Sequence, residues 1–310
     1  MEFHHLPVLL EACMDGLRVF AGGEYLDCTL GGGGHTLEIL RRGGRVTGID
    51  RDRDAIAAAG ARVESFLQET GAEASFRAIR GNFHDAASLV GDMRFDGILA
   101  DLGVSSFQLD CRERGFSYHD DAPLDMRMDA AQPRTAADIV NTATEDELTR
   151  IFRDYGEEKW ARQIARVILD RRPLETTLQL VNAIDAAIPK KVRAKDGSHP
   201  ARRVFQALRI AVNDELEPLR AALEMLVGLL KPGGRLCVIA FHSLEDRIVK
   251  NTFRTLADPC TCPRNLPVCV CGKKPVVRPV TRKPLVASAE EVERNPRARS
   301  ATLRIVEKLP

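Results

Sequence analysis

Four consecutive glycines, Gly31 to Gly34, and two carboxylates that each end an apolar run, Asp50 and Asp101, are the residues of this chain best placed to do chemistry. Glycines permit a tight strand-to-helix turn and let a ligand approach the backbone N–H groups at the start of the helix. Asp50 stands 19 residues beyond Gly31, close to the spacing of about 20 at which a carboxylate receives ribose hydroxyls. A dinucleotide fingerprint would carry glycine or alanine where Thr36 stands, so that helix and strand pack closely. No pyrophosphate-type pattern follows downstream. S-adenosylmethionine has a ribose and a zwitterionic tail but no phosphate, and it fits these residues better. Phe83, just past a third apolar run, is in position to lie against an adenine ring. The competing reading is an ordinary core phenylalanine.

The elements that must position these residues read as an α/β sheet. Residues 24–29, 45–50, 74–80 and 95–101 are short apolar runs of strand character, and 35–42 fits a short helix ending at Gly43-Gly44. Ligands of open α/β sheets gather at the C-terminal ends of the strands, where the glycine turn, Asp50 and Asp101 all fall. Strand character then stops until 235–241. The intervening span is helical in pattern. Thr144 and Glu147 predict a capping box ahead of Leu148, Ile151, Phe152 and Tyr155 at helical spacing, with Ile164 and Ile168 repeating the pattern. Leu178, Val181 and Ile188 after Thr177 predict a further buried stripe. A large insertion placed directly after a strand-end acid suits a device that grips substrate beside the chemistry, so the chain is expected to be an enzyme acting on something large.

A net charge of +1 hides an asymmetry: residues 190–209 carry seven Lys/Arg against one acid, and residues 272–310 carry ten against four. Clustered cations suit a polyanion, and Lys190 and Lys191 lead a loop suited to RNA phosphates; two solvated basic faces are the alternative reading. No apolar run is long enough to span a bilayer, and the first residues lack the pattern of a signal peptide, so a cytoplasmic protein with reduced cysteines is expected. Cys260, Cys262, Cys269 and Cys271 fall within twelve residues. They could hold zinc, but one residue between paired cysteines is tighter than the usual spacing, and a reduced loop without metal is the favoured reading. Cys13, Cys28, Cys111 and Cys237 are expected to be structural.

From Asp101 the chain reads Asp101-Leu102-Gly103-Val104-Ser105-Ser106-Phe107-Gln108. Further on stand Arg114-Gly115-Phe116-Ser117, Leu124-Asp125-Met126-Arg127-Met128-Asp129, Tyr155-Gly156-Glu157-Glu158 and Phe205-Gln206-Ala207-Leu208-Arg209. His5-Leu6-Pro7-Val8-Leu9 near the start and Phe241-His242-Ser243-Leu244-Glu245-Asp246-Arg247 near the end complete the series. In these motifs the chain resembles the bacterial 16S rRNA cytosine-N4 methyltransferases, the MraW or RsmH family, over nearly its whole length. The resemblance implies a class I, Rossmann-like S-adenosylmethionine-dependent methyltransferase fold with an inserted all-helical domain. The boundaries it suggests are 1–105 and 213–310 for the methyltransferase domain and 106–212 for a helical substrate-recognition domain. It implies methylation of one cytosine of 16S rRNA near the decoding centre, with the small ribosomal subunit as partner and no membrane. Its cofactor contacts fall on Gly33, Gly34, His35, Asp50, Phe83, Asp101 and Gln108, the last of which the residues alone do not single out. Asp101 is further expected between cofactor and target amine, for positioning more than as a general base. His242 and Ser243 either contact the flipped base or its phosphate, or Ser243, loosely paired with Asp246, caps a helix. A nicotinamide-dependent dehydrogenase, a DNA or other RNA amino-methyltransferase, and a non-catalytic RNA-binding protein are the alternatives.

Overall fold

The computed structural model describes residues 7–71, 75–193, 199–263, 268 and 270–310. Of the positions named above, His5, Leu6, Ala74, residues 194–198 and Cys269 lie outside the described residues. The chain divides into two compact units, Met1–Gly103 with Leu216–Pro310, and Val104–Glu215.

The first unit begins with α1 (Leu10–Leu17), β1 (Glu24–Asp27), α2 (Gly34–Arg41), β2 (Arg45–Asp50), α3 (Arg53–Thr70), β3 (Phe76–Arg80), α4 (Ala86–Val90) and β4 (Phe95–Asp101). The second unit supplies α5 (Ser106–Asp110), α6 (Ala136–Thr142), α7 (Glu145–Asp154), α8 (Ala161–Asp170), α9 (Thr177–Ala187), α10 (Lys190–Arg193) and α11 (Ala201–Asn213). The chain then returns to the first unit with α12 (Leu219–Leu229), β5 (Leu230–Ala240), α13 (Ser243–Ala257), β6 (Val277–Pro279), β7 (Leu285–Val286), α14 (Ala289–Arg294) and β8 (Thr302–Lys308).

Among the described residues the strands form one sheet in the order β3-β2-β1-β4-β5-β8-β6, with β7 also on β8. The first five run parallel and the pairings of β8 are antiparallel. Strands buried on both faces must be apolar throughout, which explains why β1, β2 and β4 read as short continuous runs rather than alternating ones. Leu26, Ile98 and Val238 pack on one side with Leu223, Leu226 and Phe253 of α12 and α13. Leu99, Cys237 and Ile239 pack on the other with Met14, Leu17 and Ile39 of α1 and α2. β5 begins earlier than the sequence predicts, because its partner register jumps from Phe95↔Leu230 to Gly97↔Arg235 and the intervening turn is absorbed as an irregularity. A side chain at Gly234 would sit 2.9 Å from the carbonyl oxygens of Lys231 and Phe95, so that bend needs glycine.

The order reverses at β1, which has β2 on one side and β4 on the other. Turns leaving neighbouring strands toward opposite faces open a crevice at their C-terminal ends, where ligands of such sheets bind. The glycine turn follows β1, and Asp101 ends β4.

The second unit has its own core, in which Leu148, Phe152, Ile164, Ile168, Leu180, Ile184, Val204 and Leu208 are buried together. The expected Thr144–Glu147 capping box is present at the start of α7. In α9 the stripe differs from expectation. Thr176, with Gln179, caps the helix, and Leu180, Ala183, Ile184 and Ala187 face inward; of the expected stripe Ile188 is buried, while Leu178 is 38% exposed and Val181 only partly buried. The physical reason is phase: with Thr177 as the first helical residue, positions i+3, i+6, i+7 and i+10 share the inner face. Among the described residues no helix is long and apolar enough to cross a membrane.

Phe152→Ala should destabilise the protein by about 3–5 kcal/mol, since a fully buried ring leaves a cavity. Thr144→Ala should cost only about 1 kcal/mol through loss of the cap. Urea denaturation followed by circular dichroism checks both values and their order.

Candidate functional site

A buried carboxylate that the spacing arguments do not single out organises the crevice. Asp27, the last residue of β1, is 1% exposed. One of its oxygens accepts the Thr36 hydroxyl at 2.7 Å, and the other accepts the Thr29 N–H at 3.2 Å. The Thr29 hydroxyl in turn accepts the backbone N–H of Asp101 at 2.7 Å. One carboxylate thus ties the end of β1 to the first turn of α2 and, through Thr29, to the end of β4. Thr36 is polar because it completes this bridge; the signal in the sequence is an acid and two threonines flanking the glycines, which periodicity does not score.

The glycine turn is held from the opposite side. Asp50, at the end of β2, accepts the Gly31 N–H at 2.8 Å on one oxygen and the Asp52 N–H at 2.8 Å on the other. Burial raises its pKa to about 6, against the pull of those two N–H groups. Each carboxylate oxygen retains a lone pair for a hydroxyl donor. Gly33 takes a left-handed backbone (φ 72°), and a methyl group there would stand 3.0 Å from Ala59. A methyl at Gly34 would come within 2.5 Å of Pro7. Both glycines are therefore demanded by the protein's own packing, whereas Gly32 faces open space. No side chain caps α2, so the N–H groups of its first turn have no intrahelical acceptors.

His35 and Asp101 approach each other here, with Nδ1 to Oδ2 at 4.0 Å. They do not form an ion pair. His35 is buried and its Nε2–H donates to the Val8 carbonyl at 3.0 Å, which leaves Nδ1 as the acceptor of the neutral ring. Burial lowers its pKa to about 4. Asp101 moves the other way, up to about 8, chiefly through burial and then through the charges of Asp27 and Glu245. Its side chain is 25% exposed, yet Oδ1 is buried with no hydrogen-bond partner among the described residues. An unsatisfied buried carboxyl oxygen is costly and marks a position that suits a cationic or donor ligand.

Phe83 sits past the end of β3 on a short 3-10 turn that Asn82 caps by accepting the His84 N–H. Its ring is half-buried, packs on the core and meets the His84 ring edge-on at 4.4 Å. At the start of α13 the cap is His242, not Ser243. The His242 ring accepts the Glu245 N–H, and Glu245 accepts the Phe241 and His242 N–H groups. Asp246 is held instead by Arg304 through bonds of 2.6 and 2.8 Å, which lowers its pKa. The one-residue shift follows from the strand ending at Ala240, which puts His242 in extended conformation and Ser243 already in the helix.

In the second unit Gln108 is buried, accepting the Ser105 N–H and donating to the Met128 carbonyl. Asn213 clamps the same stretch, with its amide donating to the Met126 carbonyl and accepting the Met128 N–H, both at 2.8 Å. Much of the basic excess is neutralised internally: Arg193 pairs with Asp185, Arg203 with buried Glu158, and Arg209 with Glu215. Lys190, Lys191 and Arg202 are exposed. In the first unit Arg278 and Arg235 share Glu307. Of the cysteines expected to be structural, Cys13, Cys28 and Cys237 are buried and Cys111 is only partly so.

Comparison with known proteins gives a consistent family. A family model described as the MraW methylase family matches residues 2–309. A protein of Symbiobacterium thermophilum named Ribosomal RNA small subunit methyltransferase H is 57% identical over 318 residues, covering 100% of this chain and 98% of that protein. One of the same name from Carboxydothermus hydrogenoformans is 53% identical, covering 100% of this chain and 99% of that protein.

Asp101 holds its proton to about pH 8 in the folded chain but only to about 4 when unfolded. The folded state therefore binds more protons in that window, and stability falls as pH rises through it. Asp50 is half titrated at about 6, and His35, which acts in the opposite sense, at about 6.5 when unfolded, so both are still changing charge up to about pH 7.5. Between about pH 7.5 and 8.5 Asp101→Asn should make the decline shallower in denaturant titrations, the remainder belonging to the buried thiols of Cys13, Cys28 and Cys237, whose raised pKa values act in the same sense.

Proposed function

The chain belongs to the MraW methylase family, and from that membership we propose that it transfers a methyl group from S-adenosylmethionine to the exocyclic N4 amine of a cytosine in 16S rRNA near the decoding centre. The acceptor in this reading is rRNA within the small ribosomal subunit, and the setting is cytoplasmic. The observation that carries it is the Asp101 carboxyl at the point where strand order reverses, with one buried oxygen unpaired. When bound, the cofactor would supply a methyl group on a positively charged sulfonium to the acceptor amine. Gly33, Gly34 and His35 form the turn that would receive it, Asp50 would take the ribose hydroxyls, and Phe83 would offer its ring to the adenine. Gln108 is assigned a cofactor contact on the strength of the family resemblance. The dehydrogenase alternative fits less well, because Thr36 fills the position of its third glycine with a hydroxyl bonded to Asp27.

The chain's own part in the chemistry is to hold charge and protons. Burial, and after it the charges of Asp27 and Glu245, press Asp101 toward its neutral form, and a cation beside it would draw it back to the carboxylate. Its ordinary state therefore lies close to the crossover at which proton exchange is efficient. Cytosine N4 is a weak nucleophile because its lone pair is delocalised into the ring. A carboxylate accepting from its N–H would return electron density to nitrogen and could take the proton released when the new bond forms. Neutral His35 cannot repel the cationic cofactor, which gives its lowered pKa a purpose. The second unit, Val104–Glu215, is assigned to RNA recognition, with Lys190 and Lys191 on phosphates.

Three outcomes test this. Undermethylated small subunits given labelled cofactor should acquire label on cytosine; label on another nucleoside, or none, would overturn the assignment. Asp101→Asn should lower kcat by about 10²–10⁴-fold, as expected for a group moving a proton in the transition state. Near-normal turnover with unchanged cofactor affinity would remove Asp101 from the mechanism. Replacing Lys190 and Lys191 by alanine should reduce the slope of log affinity against log salt by about 1–2, since each neutralised phosphate contributes about 0.7–0.9 to it.

A further inference from the structure

Between α13 and β6 the chain makes a long excursion whose stability the apolar cores do not explain. No described residue from Asp258 to Val276 is buried, and none lies in a helix or strand. Val268 and Val270 are 69% and 78% exposed. The base is pinned by the Val276 N–H donating to the Leu256 carbonyl at 2.9 Å. Beyond that pin, three thiols converge. The Sγ atoms of Cys260, Cys262 and Cys271 all lie within 4.8 Å of one another, and those of Cys260 and Cys271 are 3.8 Å apart.

That last distance excludes a disulfide between the two and matches the spacing of two thiolates on one ion. A disulfide requires about 2.05 Å between sulfurs. Two thiolates bound to one tetrahedral zinc at about 2.3 Å each must stand about 3.8 Å apart, the edge length of that tetrahedron. Cys260 and Cys262 come from one arm of the loop and Cys271 from the other, so a shared ion would join the two arms.

We propose that Cys260, Cys262 and Cys271 bind a zinc ion that staples this loop. The donors are soft thiolates, which favour zinc over the magnesium or calcium that carboxylate oxygens would select. Three thiolates would leave the site with one net negative charge, and Lys273 and Lys274 follow Cys271 directly after Gly272. The tight spacing within the first pair, which the sequence alone counts against zinc, matters less here because the ligands are brought together across the loop as well as along it. A segment in which no described residue is buried is the kind that a structural metal holds in place. Cys269 lies outside the described residues and carries no part of this argument. The site is separate from the crevice residues, and it stands whether or not the methylation reading does.

The test uses the full chain purified without a histidine tag under reducing conditions. Elemental analysis should find about one zinc per chain after dialysis, as for a structural site, and Cys260→Ser with Cys271→Ser should lose it. Cobalt added to chelator-stripped protein should give the thiolate charge-transfer absorption and the intense d–d bands of a tetrahedral thiolate site, both absent in the double variant. Chelation should speed proteolysis between residues 258 and 276, while far-UV circular dichroism of the double variant stays unchanged. Background metal with no cobalt spectrum, a spectrum that survives the double substitution, iron in place of zinc, or a disulfide found by mass spectrometry of unreduced protein would each overturn the proposal.

Discussion

Desolvated negative charge at the ends of parallel strands is the constraint on which the crevice depends. Burial opposes the ionisation of Asp27, and burial with the charges of Asp27 and Glu245 opposes that of Asp101. Asp27 tolerates this because Thr36 and Thr29 donate to it, and Glu245 because it closes the start of α13. Asp101 has no comparable compensation at Oδ1. Polar groups left unsatisfied in a folded interior cost free energy that the rest of the structure must offset, and such cost is commonly retained where a ligand relieves it.

The scaffold around these acids is built to keep them in place. Asp50 and Asp27 grip the same turn from opposite sides, one through the Gly31 N–H and the other through Thr36. Gly33 and Gly34 let Ala59 and Pro7 close on that turn without a side chain intervening. His35, neutral and anchored on Val8, presents Nδ1 toward Asp101 without supplying a countercharge. In the second unit Asn213 joins Met126, whose backbone is left-handed (φ 61°), to Met128, and Arg114 bonds the same two residues through its carbonyl and its guanidinium.

Legibility followed locality. The Thr144–Glu147 box was readable because all its partners lie within one helical turn, and α7 formed where expected. The stripe on α9 was misphased because a single threonine decides where the helix begins, and Thr176 and Thr177 look equally suitable in sequence. His242 displaced Ser243 as the cap for a similar reason: imidazole is an uncommon cap, and only the end of β5 fixes which residue is extended. Charge was the least transferable quantity. The basic segment 190–209 is as cationic as its composition says, but Arg193, Arg203 and Arg209 are neutralised by Asp185, Glu158 and Glu215, and the contact to Glu158, 45 residues away, is invisible to a local count of charge.

The amino-acid sequence by itself determined the parallel-sheet class, the position of the glycine turn, the strand-end placement of Asp50 and Asp101, and the family, because each is carried by residues close together along the chain or by ordered motifs over its length. Only the tertiary structure decided that Asp27 links two strand ends, that Asp101 and His35 are both neutral neighbours rather than an ion pair, and that Cys260 faces Cys271 across a loop. The physical reason is common to all three. Burial and the distance between groups remote in sequence set hydrogen bonding, ionisation and metal affinity, and neither quantity exists until the chain has folded.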